Sequence, residues 1–210
     1  MTRAAAIKHG YTTGARTLAS RSVTGLTRTR VTPNALTTSG VLLCAAASLL
    51  VLFESRNELL FYWLAAAVFV AGSLLDILDG ALARAGGKTT PFGAFLDSTT
   101  DRVSEGFMLT AIAYVLATHH HPVFVAVAMA AVAGSFLVSY TRAKAEAIGL
   151  RGDVGIGSRA ERVIVIAAGL VLAPWGVLPW SLVLLAGTAW LTVGQRVLHV
   201  RKQLMEATNE

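Results

Sequence analysis

Residues 76–101 carry the sequence DILDGALARAGGKTTPFGAFLDSTTD, in which two pairs of aspartates flank a turn rich in glycine and threonine. Asp76 and Asp79 stand three residues apart, and Asp97 and Asp101 stand four apart, so each pair shares one face of a helix. The short turn makes the two helices antiparallel neighbours. The sequence therefore predicts a helical hairpin that brings four carboxylates together.

Long apolar stretches surround this hairpin along the chain. Of the 210 residues, 54% are hydrophobic and 14% are charged, a composition typical of integral membrane proteins. A helix of about 20 apolar residues is long enough to cross about 30 Å of hydrocarbon. We predict an all-α integral membrane protein with six transmembrane helices, near residues 36–53, 59–80, 94–117, 122–145, 161–174 and 178–199.

The N-terminal residues differ from the rest in their pattern of charge. Arginines alternate with small and apolar residues between Thr12 and Arg30, which predicts an amphipathic helix lying in the membrane interface. A disordered tail is the alternative. No unbroken apolar stretch separates these cations, unlike in a signal peptide. We therefore expect a cytoplasmic juxtamembrane segment at 1–31 and a six-helix membrane domain at 32–210.

The distribution of Lys and Arg predicts the orientation of the chain. Cations near helix ends are retained in the cytoplasm, and only Arg56 falls outside when both termini are inside. We expect a multi-pass protein of the cell membrane whose aspartates face the cytoplasm. The formal charge of +6 is explained by cations beside anionic lipid head groups, so no nucleic acid partner is expected.

The four aspartates predict a metal site. Converging carboxylates at a membrane interface repel one another unless protons or cations neutralise them. Ligation by oxygen alone favours a hard ion, Mg²⁺ or Mn²⁺, and two ions about 3.5–4 Å apart can share the carboxylates and act on phosphates. The alternative is a cluster of ion pairs with Arg84, Lys88 and Arg102.

The spacing of these residues resembles the signature of the CDP-alcohol phosphotransferase family, D-x-x-D-G-x-x-A-R followed after a variable turn by G-x-x-x-D-x-x-x-D. The resemblance extends over nearly the whole chain and implies transfer of a phosphatidyl group from CDP-diacylglycerol to an alcohol, with release of CMP, usually by a homodimer. It implies that Asp76, Asp79, Asp97 and Asp101 hold two Mg²⁺ ions, with Mn²⁺ as the alternative. It also implies that Asp101 accepts the proton of the incoming hydroxyl.

The same resemblance assigns residues to the CDP-lipid. Residues implied to contact it lie at the start of the first span, in the signature and in the turn: Asn34, Ala35, Leu36, Thr37, Gly80, Arg84 and Thr90. Capping of helix N-termini is an alternative role for the hydroxyl and amide groups among them.

A polar stretch after the fourth span bears on the acceptor. Residues 139–153 and the later pairs Glu161-Arg162 and Gln195-Arg196 resemble actinobacterial phosphatidylinositol phosphate synthases, a branch of the family. This resemblance implies that the acceptor is an inositol phosphate, 1D-myo-inositol 3-phosphate. The residues implied to bind its phosphate are Ser139, Arg142, Arg159, Arg162 and Arg196.

Two departures leave other functions open. Arg142 stands where that branch has Lys, and Ser158 stands where a Glu often precedes the first arginine. Synthesis of phosphatidylglycerol phosphate from glycerol 3-phosphate would need the same arginines. The arginines can also serve only as positive-inside anchors. A membrane transporter or a purely structural membrane protein are alternatives of other classes.

Overall fold

The computed structural model describes residues 32–87, 89–156 and 158–208. In these ranges the chain is helical, with no strand. The α-helices are α1 Pro33–Val51, α2 Glu58–Ala85, α3 Pro91–Thr118, α4 Pro122–Ala147, α5 Arg159–Val171 and α6 Leu178–Thr208. Short 3-10 turns lie at Glu54–Arg56 and Ala173–Trp175.

The helices begin where the sequence supplies capping groups. The side chains of Thr32, Asn57 and Thr90 accept hydrogen bonds from backbone N–H groups in the first turns of α1, α2 and α3. Pro33 and Pro91 follow two of these caps at the first helical position, where a missing N–H costs nothing. The starts of α1 and α3 are therefore defined locally, and both starts contribute to the site described below.

Four of the helices within the described ranges, α1, α2, α4 and residues Leu178–Ala207 of α6, are long and apolar enough to cross a membrane. The prediction of an all-helical membrane protein is confirmed to that extent. Helix α3 has 28 residues but carries several charges in its first half, and α5 has only 13 residues. Six crossings therefore stay a prediction. The amphipathic segment predicted at 1–31 lies outside the described residues.

Helix α1 packs against both α2 and α3, whereas α2 and α3 make few contacts with each other. The prediction that α2 and α3 pack directly on each other as an antiparallel pair is therefore wrong for most of their length. Helix α1 packs against both of them instead. Helix α4 packs on α3 and α6, and α5 packs on α2 and α6.

The close approach of α1 and α2 depends on two glycines. A Cβ atom at Gly40 would lie 2.9 Å from the carbonyl oxygen of Gly72, and one at Gly72 would lie 2.8 Å from Sγ of Cys44. Small residues allow this kind of backbone contact between membrane helices. The contact lies about one helical turn from Asp76 and so sets how closely α1 approaches the aspartates of α2.

Candidate active site

Carboxylates from α2 and α3 meet near the turn that joins these helices. Oxygen atoms of Asp76, Asp97 and Asp101 all lie within 4.8 Å of one another. The side chain of Asp76 is only 5% exposed, and those of Asp97 and Asp101 are partly buried. A group of buried and partly buried carboxylates that offers only oxygen ligands fits a hard divalent cation.

Asp79 lies beside this group of three carboxylates. Its side chain is 3% exposed, and its Oδ2 accepts a hydrogen bond from the hydroxyl of Thr37 on α1. The structure thus brings together three of the four aspartates predicted as metal ligands, while the fourth is held against α1. Asp79 still shares a cavity with Asp97, so the two sets are contiguous.

Arg159, the first residue of α5, contacts the carboxylate group directly. Its Nη1 pairs with Oδ2 of Asp76 and lies 2.5 Å from Oδ1 of Asp101. Arg159 is predicted from the sequence to lie near the acceptor phosphate, but here it neutralises two of the aspartates. Buried carboxylates need such a cation, and a guanidinium can bind two of them at once.

Two of the three cations in the alternative cluster of ion pairs, Arg84 and Arg102, lie in the described ranges. Neither Arg84 nor Arg102 forms an ion pair with an aspartate in the ranges that the structure describes. Lys88 lies outside those ranges. Arg84 and Arg102 therefore attract Asp97 from a distance without contacting it, and the part of the alternative that concerns Lys88 stays a prediction.

A cavity of about 370 Å³ opens on one side of the carboxylates, between the start of α1, the end of α2 and the start of α3. Most residues predicted to bind the CDP-lipid line it: Asn34, Thr37, Gly80, Arg84 and Thr90. Asp79 and Asp97 line the same cavity. It therefore combines hydroxyl, amide and guanidinium donors with two carboxylates, a combination suited to a nucleotide diphosphate and its metal.

Two of the residues predicted for the CDP-lipid do not line this cavity. Ala35 is exposed, and Leu36 is buried against Leu82 on α2. The absence of a side chain at Gly80 leaves room for Arg84, since a Cβ atom at position 80 would lie 3.3 Å from Nη1 of that arginine. A side chain at position 80 would therefore crowd that guanidinium.

A second cavity, of about 850 Å³, also borders the carboxylates and lies between α3 and α4. Asp97 and Asp101 line it, together with Ser139 and Arg142 from the predicted acceptor set. It also contains Arg102, which the sequence analysis did not assign to a substrate. The carboxylate group thus borders two polar cavities, and Asp97 lines both.

The last two predicted acceptor residues are bound to other parts of the protein. Nε of Arg162 lies 2.9 and 3.1 Å from the two carboxylate oxygens of Glu105, which also accepts a hydrogen bond from Ser135. Nε of Arg196 donates to the carbonyl oxygen of Val154 at 2.9 Å. Both arginines are buried, and neither lines the second cavity.

Glu105 is a residue that sequence reasoning missed. It stands four residues after Asp101, at the point where α3 becomes apolar, and this spacing places it on the same helix face. A buried carboxylate in such a segment is costly without a partner, which was the signal available in the sequence.

A family model described as CDP-alcohol phosphatidyltransferase matches residues 30–203. The chain belongs to the CDP-alcohol phosphatidyltransferase family. As a member of this family of membrane enzymes, it is a multi-pass membrane phosphatidyltransferase.

Characterised relatives of this phosphatidyltransferase include synthases of inositol lipids. The archaetidylinositol phosphate synthase of Pyrococcus horikoshii is 37% identical over 175 residues, which cover 83% of this chain and 86% of the relative. The phosphatidylinositol phosphate synthase of Mycobacterium tuberculosis is 36% identical over 180 residues, which cover 85% of this chain and 80% of the relative.

Crystal structures of the Mycobacterium tuberculosis synthase share the fold of this phosphatidyltransferase. The structure with CDP-DAG bound has a TM-score of 0.77 and 32% sequence identity, and the match covers 87% of this chain and 92% of that one. The structure in complex with manganese and citrate also has a TM-score of 0.77, with 33% identity over 87% of this chain and 88% of that one.

Proposed function

We propose that this enzyme transfers the phosphatidyl group of CDP-diacylglycerol to an inositol phosphate, 1D-myo-inositol 3-phosphate, and yields phosphatidylinositol phosphate and CMP. The observation that carries the proposal is a single carboxylate group between two polar cavities, one for each substrate. The names of the relatives support the choice of acceptor. Two substrates held in adjoining cavities beside one reacting centre can react without a large movement of either.

The smaller cavity is assigned to the CDP-lipid. Arg84 supplies a cation for the diphosphate, and the side chains of Asn34, Thr37 and Thr90 supply polar groups. Its position at the starts of α1 and α3 adds backbone N–H groups, which favour phosphate binding. The relative's structure with CDP-DAG bound supports this assignment.

The aspartates are assigned to two divalent ions, Mg²⁺ or Mn²⁺. Asp76, Asp97 and Asp101 would hold them, with Asp79 beside them at the wall of the smaller cavity. When bound, such ions neutralise the diphosphate and the departing CMP. The relative's structure in complex with manganese supports a divalent metal.

Asp101 is assigned as the catalytic base. It belongs to the carboxylate group and also lines the larger cavity, where an acceptor hydroxyl would enter. A carboxylate in this position can accept the hydroxyl proton as the oxygen attacks phosphorus. Ser139 and Arg142 line the same cavity and would hold the acceptor. Arg162 and Arg196 are buried outside the lining and would contribute only their positive charge.

The proposal includes an arrangement in the membrane. All six helices would cross it, with residues 1–31 as an interfacial helix before the membrane domain at 32–210, both termini and the site in the cytoplasm, and two copies forming a homodimer. Exposed apolar side chains on α3 and α5, among them Tyr114 and Ile164, support contact of these helices with lipid.

The experiment that tests this proposal is CMP release by the purified enzyme in detergent. CDP-diacylglycerol and Mg²⁺ or Mn²⁺ are supplied with inositol phosphate, glycerol 3-phosphate, free inositol or serine in turn. Metal-dependent release with inositol phosphate alone is the expected result. Release only with glycerol 3-phosphate would reassign the acceptor, and no metal-dependent release with any acceptor would refute the proposal.

A further inference from the structure

The arginines predicted to bind the acceptor already have partners within the protein. Nε of Arg142 lies 2.9 Å from Glu146, and Arg162 is paired with Glu105. Arg159 is paired with Asp76 and Asp101, and Arg196 is bound to backbone carbonyls. A guanidinium that is already neutralised, or whose donors are already used, attracts a phosphate less strongly than one that is not. All the arginines predicted for the acceptor are therefore engaged within the protein.

Arg102 is the exception on the wall of the larger cavity. Its side chain is partly buried and lines that cavity. It forms neither a hydrogen bond nor an ion pair with any residue in the ranges 32–87, 89–156 and 158–208. The carboxylates of Asp97, Asp101 and Glu105 attract this guanidinium but accept no hydrogen bond from it, so its N–H groups can still donate to a bound anion.

The place of Arg102 in α3 suits the proposed chemistry. It follows Asp101 directly, and both side chains line the larger cavity. An alcohol whose phosphate is bound at Arg102 would therefore have its hydroxyls close to Asp101. Arg142 and Ser139 on α4 line the facing wall and provide a second cation and a hydroxyl.

We propose that Arg102 binds the phosphate of the acceptor and thereby makes the enzyme selective for phosphorylated alcohols. The inference rests on the proposed function, because it concerns the acceptor side of the same site. Arginine suits this role since its planar fork can give two parallel hydrogen bonds to a phosphate, which a lysine cannot reproduce. Inositol phosphate and glycerol 3-phosphate are both phosphate monoesters, and Arg102 would bind the phosphate of either one.

The kinetic test compares Arg102→Gln with Arg201→Gln, which removes an exposed cation from α6 that lines neither cavity. Loss of a charge-assisted bond to phosphate is expected to raise the acceptor KM about 10- to 100-fold in Arg102→Gln. The KM for CDP-diacylglycerol should change little, and Arg102→Lys should recover part of the loss. An unchanged acceptor KM, or an equal rise in both KM values, would overturn the inference.

A binding test separates this inference from the proposed function. Labelled inositol phosphate is titrated into the full-length protein in detergent without CDP-diacylglycerol, so that no turnover occurs. Arg102→Gln should weaken binding, whereas wild type and Arg201→Gln should bind equally and free inositol should not compete. Equal binding by Arg102→Gln, or no binding by wild type, would overturn the role of Arg102. Binding that depends on Arg102 in a protein that releases no CMP would refute the proposed function alone.

A melting curve of each variant guards against misfolding. Arg102 makes no hydrogen bond or ion pair that holds another described element, so Arg102→Gln and Arg201→Gln should melt at similar temperatures. Should Arg102→Gln melt early, Arg102→Lys replaces it in both tests, with a smaller expected change in the same direction. Unchanged acceptor binding in a stable Arg102→Lys and a stable Arg102→Gln would contradict the proposal.

Discussion

Nη1 of Arg159 lies 2.5 Å from Oδ1 of Asp101, although the two residues belong to different helices and are far apart in sequence. The same nitrogen also pairs with Asp76. Both carboxylates belong to the group whose oxygens fit a divalent cation. Arg159 is therefore an internal cation at the position where the proposed metal would bind, and the two compete for the same oxygens.

Removing this competitor should strengthen metal binding. Arg159→Gln is expected to lower the dissociation constant for Mn²⁺ by about 5- to 30-fold, since an ion pair of this kind contributes about 1–2 kcal/mol. Titration of Mn²⁺ followed by electron paramagnetic resonance measures this change without turnover. Arg201→Gln is the control, and weaker Mn²⁺ binding by Arg159→Gln would contradict the competition.

Asp101→Asn tests the assignment of the base. The amide cannot accept the acceptor proton, so turnover should fall by about 10³-fold or more, at the upper end of general-base effects. Binding of CDP-diacylglycerol should be retained, because Asp101 does not line the smaller cavity. The paired measurements are CMP release and equilibrium binding of labelled CDP-lipid. Loss of lipid binding in step with turnover would assign Asp101 to the nucleotide side instead.

Gly80→Ala tests the wall of the smaller cavity. The new methyl group would lie 3.3 Å from Nη1 of Arg84, so the exposed guanidinium must shift by a few tenths of an ångström. We expect the KM for CDP-diacylglycerol to rise about threefold to tenfold, as for a weakened bond to phosphate. Gly187→Ala on α6 is the matched control, because no atom lies within 4 Å of its added methyl group. Equal KM values in the two variants would remove Gly80 from the nucleotide site.

Glu105→Leu tests the buried pair behind the larger cavity. Arg162 would lose a carboxylate that its Nε contacts at 2.9 and 3.1 Å, which should destabilise the protein by about 3 kcal/mol or more. The double variant Glu105→Leu with Arg162→Leu should recover part of that loss, because it removes both buried charges. Unfolding in mixed micelles measures the free energies, and additive effects would show that the two residues do not interact.

The sequence predicted best those contacts that helical periodicity determines. Asp97 and Asp101 lie together because residues four apart share a helix face, and a short turn joins their helix to the helix that carries Asp76. Gly80 and Thr90 line one cavity because Gly80 stands in the last turns of α2 and Thr90 caps the start of α3.

Contacts between segments that are far apart in the chain could not be predicted from sequence patterns. Nothing in the sequence around Arg159 indicates that it would bind Asp76. Nothing in the sequence indicates that Arg102 would line a cavity without a hydrogen bond or ion pair to another described residue. Both results depend on how α1, α4 and α5 pack around the hairpin. The prediction that α2 packs directly on α3 failed for this reason, because the pattern of the hairpin does not include α1.

The backbone contact between Gly40 and Gly72 makes both positions intolerant of larger residues. A methyl group at either position would force α1 away from α2 within about one turn of Asp76, and it would strain the hydrogen bond from Thr37 to Asp79. Random mutagenesis should therefore yield heat-sensitive alleles at two glycines that bear no reactive group. Suppressors of such alleles at Gly72 would arise at neighbours that can become smaller, such as Cys44, whose Sγ would lie 2.8 Å from the added methyl group.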